Sequence, residues 1–515
     1  IIRPSISSKF YARYKYQYRD LLECGILIER DAAEKSLIDF YSFHLFARNI
    51  GIIKSLALGD YVLNIGQGLI HWQSQAARKT SSVINVKRQA EIIRHYHSAG
   101  EYNFQRGAAI TIKKYNWETT LFGSLRYITA NVDYDEHYGQ VITSVNTSGL
   151  HRTATELANK NNASVMSYGV TIKHLFAKGH IGLNAIQYNY SVPLLKRDEP
   201  YNFFAIKGKL WSNYSVDYAY TFRNFHFFGE SAIAKNGRTA TINGLMASLH
   251  SSLDLAVVYR NISEGYQSLY GNAFTENTMP ANERGIYIGV SLKPRDSWKI
   301  DIYTDLFYFP WLKYRVAAPA FGRQHFAQVT WKPNKYIEVY TRYRLKLKPL
   351  DSEAEHTHYP GEWILENWRT HISFNISHSI LLRSRLELCW FNKPLSIGPE
   401  TGYLLYNDVI YKPAGKWYAA GLRVQFFETG SYETRLYAYE NDVLFSSSTP
   451  SFYGKGTKLY INIKSKARPA FLGRLAVDIG FKVAFTKYYI VDYQPNVDLK
   501  PSLEYKLQFF LYSSK

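Results

Sequence analysis

In the stretch EVYTRYRLKLK, residues 338–348, two kinds of position alternate without a break. Val339, Thr341, Tyr343, Leu345 and Leu347 fall on one side, and Glu338, Tyr340, Arg342, Arg344, Lys346 and Lys348 on the other. Successive side chains of a strand point to opposite faces, so the pattern predicts one strand with an apolar face and a cationic face. The alternation recurs along the chain. KFYARYKYQYR sets Phe10, Ala12, Tyr14, Tyr16 and Tyr18 against Lys9, Tyr11, Arg13, Lys15, Gln17 and Arg19. LLRSRLELCW sets Leu382, Ser384, Leu386, Leu388 and Trp390 against Arg383, Arg385, Glu387 and Cys389. SLEYKLQFFLY, near the end, repeats it with Leu503, Tyr505, Leu507, Phe509 and Leu511 against Glu504, Lys506 and Gln508. One sheet spanning the whole chain is the expectation. A propeller or solenoid would also consist of many short strands, but it would show a repeat of fixed period, and none is present.

The connections fall into two length classes. Tight hairpins are expected near residues 50, 115, 178, 223, 250, 295, 333 and 378. Between them lie longer connections at 68–105, 134–163, 193–200, 263–281, 311–321, 350–361, 395–400 and 489–499. Short turns alternating with long loops are the layout of an outer-membrane barrel. Keeping every long loop on one side requires residues 201–222 to be a single strand and places a short strand at 443–448. The count is then roughly 25, against the even number expected of a bacterial single-chain barrel. One strand or more is therefore expected upstream of Ile1, giving about 26 in an N-terminally complete chain. The expected fold is all-β: residues 1–515 as one large transmembrane antiparallel β-barrel, with loops 68–105 and 134–163 partly filling its lumen.

Composition supports this picture. The chain carries 44 Tyr, 29 Phe and 10 Trp in 515 residues, an enrichment that suits strands and interfacial girdles. No run of about 18 apolar residues occurs, which excludes a helical membrane span. The N-terminus IIRPSISSKF lacks a signal-peptide layout, as expected of a mature or truncated exported chain. Cys24 and Cys389 lie far apart and do not indicate a disulfide framework. The net charge of +20 favours polyanionic neighbours such as nucleic acid, lipid headgroups or phosphorylated glycans, and a solvated basic face accounts for it equally well.

Several segments resemble a family of large outer-membrane proteins of Bacteroidetes in which a helix-hairpin-helix domain precedes a barrel. They include DFYSFHLFARNIGIIKSLALGDYVLNIGQGL at 39–69, INVKR at 84–88, NFQRGAA at 103–109 and LHRTATELANKN at 150–161. YRNISEGYQSLYGNAFTE at 259–276, NERGIYIG at 282–289, FPWLKYRVAAP at 309–319, GYLLYNDVIY at 402–411 and RLYAYENDVLF at 435–445 continue the likeness in order. The resemblance implies an outer-membrane location and a barrel. The family's helix-hairpin-helix region is absent from this chain, and after GQGL the chain reads IHWQSQAARKT where the family tends to be rich in Gly and Phe.

Candidate chemistry is sparse. The inward basic set is Arg13, Lys15, Arg342, Arg344, Lys346, Lys348, Arg383 and Arg385. The long segment 68–105 carries Arg78, Lys79, Lys87, Arg88, Arg94, His95 and His97, and is expected either to plug the lumen or to meet a partner. Thr153 and Glu156 form a capping box for one amphipathic helix over 153–162. The pairs His95/His97 and His356/His358 have a spacing that suits a metal on extended chain. Without a cysteine or carboxylate constellation beside them in sequence they read as solvated loop histidines, and no metal or cofactor is expected. No nucleophile elbow, HExxH or phosphate loop is present, so no enzymatic role is expected. Two functions stand: a conduit or receptor for an anionic polymer, with DNA uptake as the version the resemblance suggests, and a non-conducting scaffold of an envelope secretion or assembly complex. The expected partners are outer-membrane lipid and lipopolysaccharide, other envelope proteins and, on the resemblance alone, nucleic acid.

Overall fold

The computed structural model describes residues 8–36, 38–351, 360–394, 398–444, 446, 449–467, 475–489 and 501–513. One 26-stranded sheet runs through them, and a further two-stranded sheet stands apart from it. Among the described residues no helix is long and apolar enough to cross a membrane. The chain divides into two compact units, the first comprising residues 1–249, 254–288 and 306–320, and the second 250–253, 289–305 and 321–515.

The first unit opens with β1 (Phe10–Tyr18), β2 (Leu22–Arg30), β3 (Phe40–Ile50) and β4 (Ile53–Leu63), each antiparallel to the next. A three-residue strand, β5 (Ile93–His95), precedes β6 (Gln105–Lys114) and β7 (Trp117–Ile128). β8 (Ala130–Asp135), β9 (Gly139–Val145) and α1 (Ala154–Ala158) lead into β10 (Ala163–Phe176), which pairs with β7. β11 (Gly179–Leu194), β12 (Gly208–Phe222), β13 (Phe225–Ala234) and β14 (Thr239–His250) follow as an antiparallel meander. β15 (Leu253–Ile262), β16 (Glu283–Arg295) and β17 (Trp298–Phe309) come next in the chain.

In the second unit, β18 (Ala320–Trp331), β19 (Ile337–Asp351), β20 (Pro360–Asn375), β21 (Ile380–Asn392), β22 (Glu400–Tyr411) and β23 (Tyr418–Thr429) pair in sequence order. The two-residue strands β24 (Leu436–Tyr437) and β25 (Ser451–Phe452) pair with each other. β23 then pairs with β26 (Lys455–Ala467), followed by β27 (Leu475–Tyr489) and β28 (Ser502–Ser513).

Hairpins form at the expected places: Ile50 faces Ile53, Lys114 faces Trp117, Phe176 faces Gly179 and Phe222 faces Phe225. Four expectations are corrected. Residues 201–222 are not one strand, because Pro200–Asn202 form a 3-10 turn and β12 begins only at Gly208. The segment 134–163 is not open loop throughout, since the end of β8 and all of β9 lie in its first half. The helix expected over 153–162 is a five-residue turn, α1, although its Thr153/Glu156 capping box is present. Val443, Leu444 and Ser446 carry no strand; the rest of the 443–448 stretch lies outside the described residues.

The faces of the sheet invert the soluble rule. Tyr41, Phe43 and Leu45 of β3 are exposed, while Ser42, His44 and Phe46 between them are buried. On β12, Tyr214, Val216 and Tyr218 are exposed between buried Asn213, Ser215 and Asp217. On β23, Leu422, Val424 and Phe426 are exposed beside buried Arg423 and Gln425. Arg260 and Arg423 are among the largest fully buried side chains. Such an extent of exposed apolar side chains is untenable in water. It is stable against lipid, where a Lys or Arg at mid-depth would cost about 2–4 kcal/mol.

Candidate functional site

In the first unit the segment 64–104 turns away from β4. Beyond Tyr61 the pairing partner of β4 changes from β6 to β5, whose Ile93 and His95 face Leu63 and Tyr61. This hairpin folds the segment back on itself. The rest packs as a buried body: Ile65, Leu69, Ile70 and His71 are fully buried, and Val83 and Val86 nearly so.

Side chains from distant strands hold it. Glu230 of β13 accepts from the backbone N–H groups of Gln67 (2.7 Å) and Leu69 (3.0 Å) through one carboxylate oxygen, Oε2. Gly66, at φ +55°, allows this approach, because a Cβ there would lie 2.6 Å from the Glu230 carboxyl carbon. The Tyr287 hydroxyl donates to the Val83 carbonyl at 2.7 Å, and the Tyr266 hydroxyl to that of Leu69 at 3.2 Å. His71 Nδ1 meets the Tyr188 hydroxyl at 2.6 Å, and burial pushes the pKa of His71 down to about 4.

Four of the basic residues expected in this segment, Arg78, Lys79, Lys87 and Arg88, are engaged within the protein. Arg78 donates to Asn272 Oδ1 (3.2 Å) and to the Thr278 carbonyl (2.6 Å), and Lys79 pairs with Glu276. Lys87 Nζ lies 2.8 Å from His226 Nε2. Arg88 spans the carbonyls of Ala77, Asn272 (2.9 Å) and Ala273 (3.0 Å), and burial lowers its pKa to about 10. Arg94 is exposed on β5. His95 corrects the sequence reading: it is not a solvated loop histidine but sits beside Glu23 and His44, with only 11% of its side chain exposed. His97 adjoins them and is exposed. The carboxylate and third imidazole come from β2 and β3, so nothing local in the sequence announced them. His356 and His358 lie outside the described residues.

A second convergence ties the α1 loop to the loop after β2. His151 Nδ1 meets Asp39 Oδ2 at 2.6 Å and its Nε2 meets the Thr129 hydroxyl at 3.0 Å. Glu34 accepts from the backbone N–H groups of His151 (3.0 Å) and Asp31 (2.8 Å), and Lys160 pairs with Asp39. Every ligand atom of this Glu34/Asp39/His151 group is thus engaged in protein contacts, and it reads as a latch. Nearby Glu101 is pushed up to about 8 by burial, helped by the charges of Asp39, Glu29 and Glu34.

In the second unit the basic positions of β19 and β21 share one face. Arg342 faces Arg369, which faces Glu387, and His371 faces Arg385. Arg369 makes a bidentate pair with Glu387 (2.7 and 2.9 Å), Arg385 contacts the same carboxylate, and Arg342 lies 4.0 Å from it. Arg344 donates to Asn367 Oδ1 at 2.6 Å. Lys346, Lys348 and Arg383 are half-buried in the same alternation. In the first unit, Lys15 lies 3.0 Å from Glu23, and Arg13 is half-buried on β1.

Sequence reasoning missed a second inserted segment, residues 430–454. Arg385 donates to the Tyr437 carbonyl (2.7 Å) and Arg423 to that of Tyr439 (2.7 Å), while Arg423 also chelates Asp408 at 2.5 and 2.7 Å. Glu440 binds Lys458 and Lys482 (2.6 Å each), and Asp442 binds Lys482 (3.1 Å) and Lys506 (2.6 Å). The one available signal was a pair of carboxylates, Glu440 and Asp442, in a stretch lying between strands with cationic faces.

A strand-only membrane crossing, apolar on the exposed face and ionic on the other, defines an outer-membrane β-barrel protein; barrels and helices alone satisfy their backbone in lipid, and no helix among the described residues could do so. No protein-family model matches the chain, and no curated protein matches it. Among solved structures it is similar to OccK5 (OpdH) of Pseudomonas aeruginosa at 10% identity and TM-score 0.30, over 58% of this chain and 92% of that one. It is also similar to the FrpB iron transporter of Neisseria meningitidis, F5-1 variant in apoprotein form, at 10% identity and TM-score 0.39, over 79% and 70%. The copper transporter OprC matches at 11% identity and TM-score 0.36, over 76% and 60%. The class rests on the two faces of the sheet; these scores say nothing of solutes.

Proposed function

We propose that the protein is a gated outer-membrane conduit for anionic solutes, with segment 64–104 as its plug. The observation that carries this reading is the mode of attachment: the segment is held by hydrogen bonds and ion pairs to Glu230, Tyr266, Tyr287, Glu276 and His226, each of which breaks without covalent change. Anion preference follows from Arg342, Arg369 and Arg385 gathered around the single carboxylate of Glu387. An array with more guanidinium than carboxylate attracts phosphate or carboxylate groups. An anionic polymer fits the same array, and DNA as that polymer rests on the family resemblance alone.

Planar-bilayer recording tests this. The full chain should show rare openings, the chain lacking residues 68–105 a steady anion-selective conductance, and Arg342→Gln with Arg385→Gln a loss of that selectivity. Absence of conductance even after loop deletion would overturn the reading. The second reading, a scaffold subunit that never conducts, is favoured by the additional anchored segment 430–454. It requires stable partners after gentle extraction, and a chain that always purifies alone speaks against it.

A further inference from the structure

We infer that Glu23, His44 and His95, with His97 at the rim, form a binding site for a divalent transition cation such as Zn²⁺, which clips the inserted segment to β2 and β3. Glu23 Oε1 lies 3.0 Å from His95 Nε2 and 3.5 Å from His44 Nε2. Ligand atoms placed about 2.0–2.2 Å from a tetrahedral metal stand roughly 3.3–3.5 Å apart, so each imidazole is within reach of a metal shared with Glu23, and closing the sphere requires the two imidazoles to move toward each other. The His44 and His95 rings stack at 5.0 Å between centroids, and the His97 ring lies 4.7 Å from that of His95.

Three further observations point to a ligand. First, His44 Nε2 is buried and makes no hydrogen bond, on a side chain only 4% exposed. Burying such an atom unpaired is costly, and a bound metal would relieve it. Second, the backbone makes room for the site: Gly25 faces His44 across the β2–β3 pair, and a Cβ on Gly25 would lie 2.7 Å from the His44 ring. Third, a cation already approaches the spot, since Lys15 Nζ lies 3.0 Å from Glu23 Oε1. Lys15 is more than one-third exposed on a flexible stem and can withdraw when a metal enters past His97. Two or three imidazoles and one carboxylate form a borderline donor set, which suits Zn²⁺, Ni²⁺ or Cu²⁺ and disfavours Mg²⁺ and Ca²⁺. The Glu34/Asp39/His151 latch lacks these features, because its ligand atoms are already engaged. The inference does not depend on what the barrel conducts.

The test is titration of the full chain in detergent micelles with Co²⁺ alone, read by visible absorption and by metal content after gel filtration. The expected result is one equivalent of Co²⁺ with an intense low-coordinate spectrum. That signal should be lost in His44→Ala and in His95→Ala, kept in His137→Ala on an exposed loop, and should appear at lower Co²⁺ in Lys15→Met. A merely structural ion pair would not tighten metal binding when Lys15 is removed. The heat-modifiable gel shift of the folded barrel certifies each variant, and should His44→Ala fail it, the near-isosteric Glu23→Gln carries the test by the same loss. Wild-type binding no greater than that of His44→Ala or Glu23→Gln, or binding equal in all variants, overturns the inference.

Discussion

Replacing Glu230 by alanine should detach the inserted segment 64–104 while leaving the sheet intact. One carboxylate oxygen accepts from both Gln67 N–H and Leu69 N–H, and the carboxylate and Leu69 are fully buried. A buried donor left without an acceptor costs about 1–3 kcal/mol, so the two together lose about 2–6 kcal/mol of docking free energy. Water entering the space left by the side chain moves the value toward the lower end. Even about 2.7 kcal/mol is a hundredfold change in the docked-to-open ratio. Hydrogen exchange reads this at the residues concerned: the Gln67 and Leu69 amides should lose about two decades of protection, while amides of β12 and β13 keep theirs. Glu230→Gln retains an acceptor oxygen and should lose far less. The reasoning is refuted if Glu230→Ala leaves both amides as protected as in the wild type, or if the glutamine variant is equally damaging.

Three other outcomes follow from the same contacts. Gly66→Ala should destabilise docking by at least about 1–2 kcal/mol, the cost of a non-glycine residue in left-handed backbone, before its Cβ is pressed against Glu230, and limited proteolysis within 74–90 should accelerate. Glu101 is held protonated above its ordinary range, so the unfolded chain releases that proton first, and stability falls as pH rises from about 4.5 to about 8. Glu101→Gln should flatten that part of the pH–stability profile measured by urea unfolding. Lys482→Met strands Glu440 and Asp442 against a fully buried neighbour; with Lys458 and Lys506 still in place, the loss should fall at or below the low end of the 3–5 kcal/mol range for a broken buried pair, read by denaturant titration.

The sheet was legible because its signal has period two and recurs along the chain; on β21, Arg385, Glu387 and Cys389 are buried between less buried neighbours, as the sequence alternates. The turns were legible from short polar breaks such as FRNF. What failed was long-range. The 3-10 turn at Pro200 interrupts a stretch whose alternation continues across it. Residues 430–454 leave the wall because their carboxylates match lysines on β26, β27 and β28, a match no local window contains. His95 was visible as half of a pair, but its carboxylate lies 72 positions earlier, at Glu23, and reaches it only once the segment has turned inward.

The anchors of the inserted segment also set an order of assembly. Gln67 finds its acceptor 163 residues later in the chain, and Val83 finds the Tyr287 hydroxyl 204 residues later. Contacts of such separation form late and slowly, because the intervening chain must be organised first. The segment therefore cannot dock until the strands that bear Glu230 and Tyr287 have paired. Every newly made molecule accordingly passes through a stage in which much of the sheet exists and the segment is loose, and an insertion machinery or a ligand arriving during that interval meets an inner surface that the finished protein conceals.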